Sequence, residues 1–152
     1  MSIKSLKKEG GFTLLELLIV IVIIGILALL IIPNITSAPK KARDTKRKTD
    51  ITTLRKGLEE YFVNNNVYPA SSGTIGSGGV LAELTTGTAP IVKNLPTDPK
   101  NQSPYVYTYT PANSNSTYTL NACLENDGDN GANVIAPVSP CTTKTFQVVN
   151  GN

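Results

Sequence analysis

Between Phe12 and Ile32 the chain carries 21 residues, of which only Thr13 and Glu16 are polar. About 20 apolar residues span a bilayer as a helix, so this run decides what the rest can fold into. The sequence predicts a membrane-crossing or assembly helix here. A secretory signal peptide is the competing reading. Its apolar core is about 7–15 residues and precedes a small-residue cut site. This run is longer, and Pro33-Asn34 follows it. The small residues come before it, at Gly10-Gly11, and a cut there retains the helix. The single acid needs a reason. A carboxylate in apolar surroundings is costly unless it is paired or reaches water. Glu16 at the headgroup level, or near the positive end of a helix, is the plainest account of it.

Charge is arranged around this segment. Lys4, Lys7 and Lys8 precede it, and Lys40, Lys41, Arg43, Lys46, Arg47 and Lys48 follow it. Counted alone, the excess on the far side predicts a cytoplasmic C-terminal part. Cys123 and Cys141 argue the opposite. An even pair in an exported chain reads as one disulfide, whereas in a cytosolic domain it would be two buried thiols. Cationic charge near the anchor suits lipid headgroups or neighbouring subunits. A nucleic-acid binder would spread it over a folded face, and no such partner is expected.

The stretch Gly11-Phe12-Thr13-Leu14-Leu15-Glu16 resembles the processing signature of type IV prepilins and type II secretion pseudopilins. The resemblance implies a leader, Met1–Gly11, removed by a prepilin peptidase between Gly11 and Phe12. It implies N-methylation of the new Phe12 terminus. It further implies that Glu16 pairs with the Phe12 amine of an adjacent subunit during filament assembly. A helix slid out of register would leave both charges buried and unmatched, which is strongly unfavourable. The implied fold is α+β, the pilin fold: a long N-terminal helix packed against a small antiparallel β-sheet head. The implied partners are further copies of the chain, the peptidase and methyltransferase, an assembly platform and membrane lipid. The implied location is the inner membrane with an extracytoplasmic head, and an external or periplasmic filament after assembly.

The organisation read from the sequence is a leader at 1–11, an assembly helix at 12–33, a kinked amphipathic helix at 34–66, a variable loop region at 67–104 and a β head at 105–152. Pro33 and Pro39 each remove a backbone donor, and a break or melted stretch is expected between them. Ile51, Leu54, Leu58, Tyr61 and Phe62 then share one helical face. Arg43, Lys46, Arg47 and Lys56 fall mostly away from it, and Glu59-Glu60 reads as solvated. Asn64-Asn65-Asn66 ends the helix. Gly, Ser, Thr and Pro dominate 67–104, with a short helical turn near Val80–Leu84. Tyr105, Tyr107 and Tyr109 alternate in the strand period, "PANSNS" is a turn, 117–124 is a second strand and 146–149 a third. The tyrosine row is expected to pack against the Ile51–Phe62 stripe.

The chain has no His, which excludes a Ser-His-Asp triad and His-ligated zinc. Phosphate-loop and dinucleotide fingerprints are missing. No enzymatic activity is expected. Asp127 and Asp129, with Gly128 and Gly131, form an oxygen-rich turn that could take calcium. Full EF-hand spacing is missing, so a polar turn without a cofactor is the expectation. Two functions are carried forward: a subunit of a pilus or secretion pseudopilus, and a membrane-tethered binding domain that never polymerises.

Overall fold

A computed structural model describes residues 10–76, 79–86 and 90–150, with the side-chain surroundings of 30–36 left aside. The leader up to residue 9 lies outside the described residues. The chain divides into two compact units between Ser37 and Ala38, and α1 (Leu14–Asn65) contributes to each.

In the first unit the α1 side chains from Leu14 to Leu29 are exposed, with every large apolar residue among them at least about half open. Among the described residues no helix is long and apolar enough to cross a membrane. The oily run predicted from the sequence extends to Ile32, beyond the last residue whose side-chain surroundings are described. Helical backbone continues through Pro33 and Pro39, so the expected melted stretch is not seen. Each proline removes one i→i−4 bond, and the residues between them keep their own donors.

The second unit is a helix against a sheet. From Ala38 onward α1 lays Ile51, Leu54 and Leu58 into the core, all fully buried. That is the predicted apolar stripe, and burial rather than intrinsic propensity holds it. Asn66 closes the helix with φ 58, its N–H reaching the Phe62 carbonyl. A left-handed Asn is a common way to end a helix.

The sheet is antiparallel throughout, in the order β1 (Gly73–Thr74), β2 (Tyr107–Ala112), β3 (Thr117–Cys123), β5 (Thr145–Asn150), β4 (Val134–Ile135). A short 3-10 turn occupies Ala82–Leu84, close to the expected helical turn. The predicted α+β arrangement of long helix and antiparallel sheet is therefore observed. Tyr107, Tyr109, Tyr118, Leu120, Ala122, Phe146 and Val148 point from one sheet face into the cluster that contains Ile51, Leu54 and Leu58. Alternation explains the choice: the intervening Thr108, Thr110, Thr119 and Asn121 stay at least partly open. Tyr105 departs from the predicted row. It precedes β2 and forms only an isolated bridge with Gln102. Strands β1 and β4 go beyond the sequence expectation, because two-residue strands leave no periodic signal.

Gly57 has a packing reason. A Cβ there would lie 2.7 Å from Val92 Cγ2. The bare helix surface lets the Ile91–Val92 segment approach α1.

Candidate functional site

Two arrangements stand out, one at the start of α1 and one inside the head.

At the start of α1, Thr13 immediately precedes the first helical residue. Glu16 N–H donates to Thr13 Oγ1 at 3.2 Å, and Thr13 N–H donates to Glu16 Oε2 at 2.8 Å. The Thr13 hydroxyl also donates to the same carboxylate oxygen, at 2.9 Å. This is a capping box, S/T-x-x-E, in which two orphan helix-end donors are satisfied reciprocally. The spacing is visible in the sequence, but a lone acid in an oily run points first to a remote partner and away from Thr13. In the single chain Glu16 therefore has an occupation of its own. Phe12, next to the cap, is 90 % exposed. A Cβ placed on Gly10 or Gly11 would meet nothing within 4 Å. Among the described residues, nothing covers the implied cleavage position.

Within the head, Arg47 is fully buried. This corrects the expectation that it falls away from the apolar face. It lies four residues before Ile51 and seven before Leu54, on the same stripe. Its guanidinium donates to Asp98 through Nε at 2.6 Å and Nη2 at 3.0 Å, and through Nη1 to Asp44 and Glu125, both at 2.8 Å. Glu125 also accepts two bonds from Arg43 at 2.7 Å and pairs with Lys100 at 2.9 Å. Asp44 accepts the backbone N–H groups of Glu125 and Asn126 at 2.9 Å. The Tyr105 ring lies under the Arg47 and Lys100 cations at 4.8 and 4.3 Å. Three carboxylates thus meet three cations in one lock within the head.

The electrostatics follow from these contacts. Hydrogen bonds from Arg43, then from Lys100 and Arg47, hold the Glu125 carboxyl well below its usual range, against a desolvation that pushes the other way. For Arg47, burial opposes the charged form most strongly. Hydrogen bonds to Asp98, Glu125 and Asp44 outweigh it, and the guanidinium is held more firmly protonated than usual. A buried charge is tolerable only when it is paired and fully hydrogen-bonded, and no buried side-chain polar atom among the described residues lacks a partner.

Glu59 is a second correction. It is half-buried and accepts Tyr118 Oη at 2.8 Å, Tyr68 Oη at 3.1 Å and Asn150 Nδ2 at 2.6 Å. Tyr107 Oη donates to Asp50 at 2.8 Å and Tyr109 Oη to the Pro69 carbonyl at 2.8 Å. Burial above all pushes the Tyr107 and Tyr118 hydroxyls up, and the neighbouring carboxylates add to it. Tyr68, Tyr107, Tyr109 and Tyr118 are buried core struts with satisfied hydroxyls, so their faces are not free to stack a ligand.

Cys123 and Cys141 form a disulfide with Cα atoms 5.2 Å apart. Asp129 binds Lys48 Nζ at 2.5 Å and accepts the Gly131 N–H at 3.0 Å, while Asp127 is exposed. Among the described residues no group of three or more His, Cys, Asp or Glu side chains is placed to hold a metal. Residues 126–131 read as a polar turn tied to α1 by Lys48.

Comparison with known proteins adds to this geometry. Residues 6–32 match the prokaryotic N-terminal methylation motif. Residues 34–137, more than half of the chain, match the family of type II secretion system protein G. The chain belongs to the protein G family of type II secretion systems. Among curated relatives, the type II secretion system core protein G of Vibrio cholerae is 38 % identical over 105 residues, covering 63 % of this chain and 68 % of the relative. That of Pseudomonas aeruginosa is 34 % identical over 108 residues, covering 66 % and 74 %. That of Escherichia coli is 38 % identical over 100 residues, covering 60 % and 67 %. No solved structure gives a significant match. For this protein G family member the head lock joins α1 to Asp98 and Glu125, both inside the segment that matches the family.

Proposed function

We propose that this chain is the structural subunit of a secretion pseudopilus. It is made with a leader, cut between Gly11 and Phe12, methylated at Phe12, and held in the inner membrane by its oily helix with the head outside the cytoplasm. It then enters a helical filament whose core is that helix. The single observation that carries the reading is the succession in one chain of a methylation motif at 6–32 and a protein G domain at 34–137. The exposed apolar side chains from Phe12 to Leu29 supply a surface that such a filament core would bury. The role is structural, so residues act here by packing and pairing.

The head chemistry bears on the membrane orientation. Four of the six cations that follow the oily run, Arg43, Lys46, Arg47 and Lys48, are ion-paired to carboxylates of the same chain. The orientation rule counts Lys and Arg and not net charge, so this pairing leaves the count as it is, and the Cys123–Cys141 disulfide, which belongs in an oxidising compartment, is what favours an extracytoplasmic head.

Intact-mass measurement on the mature protein tests the reading. Loss of Met1–Gly11 with one added methyl group on Phe12 is the expected result. An intact N-terminus overturns it and favours a tethered domain that does not polymerise. One observation supports that second reading: the Thr13–Glu16 capping box satisfies Glu16 without any neighbour.

A further inference from the structure

We propose that the Cys123–Cys141 disulfide is the latch that seats Glu125 in the head lock, so that the lock closes only after the two thiols are oxidised. The chain leaves β3 at Cys123, and Glu125 follows two residues later. The carboxylate must then reach Arg43, Arg47 and Lys100 at 2.7–2.9 Å, and its side chain is almost wholly closed to solvent. Its own N–H and that of Asn126 must meet Asp44 at the same time. Such a charge is stabilising only in a fixed geometry.

The disulfide supplies that fixity from the other end of the segment. Cys141 returns the chain to the sheet, where the Thr143 hydroxyl donates to the Leu124 carbonyl and Leu124 N–H donates to Lys144 O. Glu125 thus sits just beyond a point pinned by a covalent link and two hydrogen bonds. Between the cysteines, the segment 126–140 is held by Asn126 N–H to Asp44, by Lys48–Asp129, by the two-residue strand β4, by Gln147 N–H to the Asn133 carbonyl and by Val138 N–H to Thr145 Oγ1. A covalent bond that closes a loop of 18 residues shifts the balance by at most about two-hundredfold in the chain-entropy account, which refers to a wholly unfolded open state, and by less where β3 and β5 stay paired. In the reduced chain that advantage is gone, and Glu125 loses its restraint first. Oxidation removes two protons and two electrons from the thiols. The acceptor is a protein disulfide of an oxidoreductase outside the cytoplasm, which leaves as a dithiol. The lock would accordingly distinguish a chain that has met an oxidising compartment from one that has not.

The test is amide hydrogen exchange on the full chain in detergent, oxidised and after reduction. The Glu125 and Asn126 amides should exchange at least tenfold faster after reduction, while Leu120 and Tyr109, in the sheet centre, keep their protection. Unchanged rates at Glu125 and Asn126 overturn the latch, and so does an equal acceleration across the sheet. Because linkage is reciprocal, Glu125→Gln in the oxidised chain gives a second measurement. At equilibrium in a dithiol–disulfide buffer, its Cys123–Cys141 bond should be half reduced at a several-fold lower ratio of dithiol to disulfide than in the unaltered chain. An unchanged midpoint ratio overturns the proposal.

Discussion

Arg47 and Asp98, 51 residues apart in sequence, are joined by two hydrogen bonds at 2.6 and 3.0 Å, and neither side chain is reached by solvent. The pair ties α1 to the Leu95–Pro99 segment, and Glu125 brings the end of β3 into the same knot. Three parts of the chain that share no secondary structure thereby acquire one fixed arrangement.

Removing Arg47 leaves Asp44, Asp98 and Glu125 close together with their central cation gone. Breaking a buried ion pair from one side costs about 3–5 kcal/mol, because the surviving charge is stranded. Arg47→Met, similar in length and apolar, is expected to lose that much in a urea titration. Asp98→Asn keeps the shape and one acceptor, and should lose less. Equal stability of Arg47→Met and the unaltered chain would mean that the knot is not a structural keystone.

Acid should open the knot through Glu125. Its folded-state carboxyl is held below the ordinary value of 4.5. A depressed carboxyl contributes stability that is present above the unfolded value and lost as pH falls through the folded one. Thermal midpoints should therefore be level near neutrality and fall below about pH 4.5. In Glu125→Gln the midpoint should be lower near neutrality and the fall shallower. Tyr107 and Tyr118 carry the opposite sign. Their folded hydroxyls are raised above the usual 10.0, so their contribution is intact below that value and is lost as pH rises beyond it.

Gly57→Ala tests a close approach. Alanine is the better helix former by about 1 kcal/mol. Its Cβ would meet Val92 Cγ2 at 2.7 Å, and a branched side chain against a helix has little freedom to retreat. Overpacking of this kind costs about 1–3 kcal/mol, so the net expectation is a lower midpoint. Gly25→Ala is the control: nothing lies within 4 Å of its Cβ position, and the isolated chain should gain stability or keep it.

What the sequence discloses and what it withholds divide on physical grounds. The Ile51–Leu54–Leu58 stripe and the Tyr107–Tyr109 alternation are legible because burial imposes a period. The Asn66 helix end and the Thr117–Cys123 strand are legible from local chemistry. Arg47 is misplaced by the pattern because a charged residue on an apolar stripe looks like an error in it. Only the folded chain shows that Asp98 and Glu125 come to it from 51 and 78 residues away. Glu59 looks like a solvated acid for the same reason, since its donors Tyr68, Tyr118 and Asn150 are remote. The Thr13–Glu16 box is different. Its spacing is local and readable, yet the cost of an acid among apolar residues draws attention to a distant partner instead.

That box yields the last expectation. In the single chain the Glu16 carboxylate is held by the N–H and hydroxyl of Thr13. In a filament the same carboxylate is expected to face the Phe12 amine of the next subunit. On the proposed role the two uses compete for one carboxylate, and the cap would then be a holding arrangement that assembly must release. Thr13→Val keeps the size and removes the hydroxyl. It should leave insertion and leader removal unchanged, because neither needs the cap. The Thr13 N–H remains, so the carboxylate is held more loosely. Glu16→Ala removes both uses and should insert normally while assembling poorly. Measuring filament yield for Thr13→Val, Glu16→Ala and the double variant separates the roles. If Glu16 acts only as a helix cap, each single variant keeps one backbone bond of the box, so both should fall modestly and the double should fall further than either. If it acts as the assembly partner, Glu16→Ala should be far the more damaging, and Thr13→Val should assemble at least half as well as the unaltered chain.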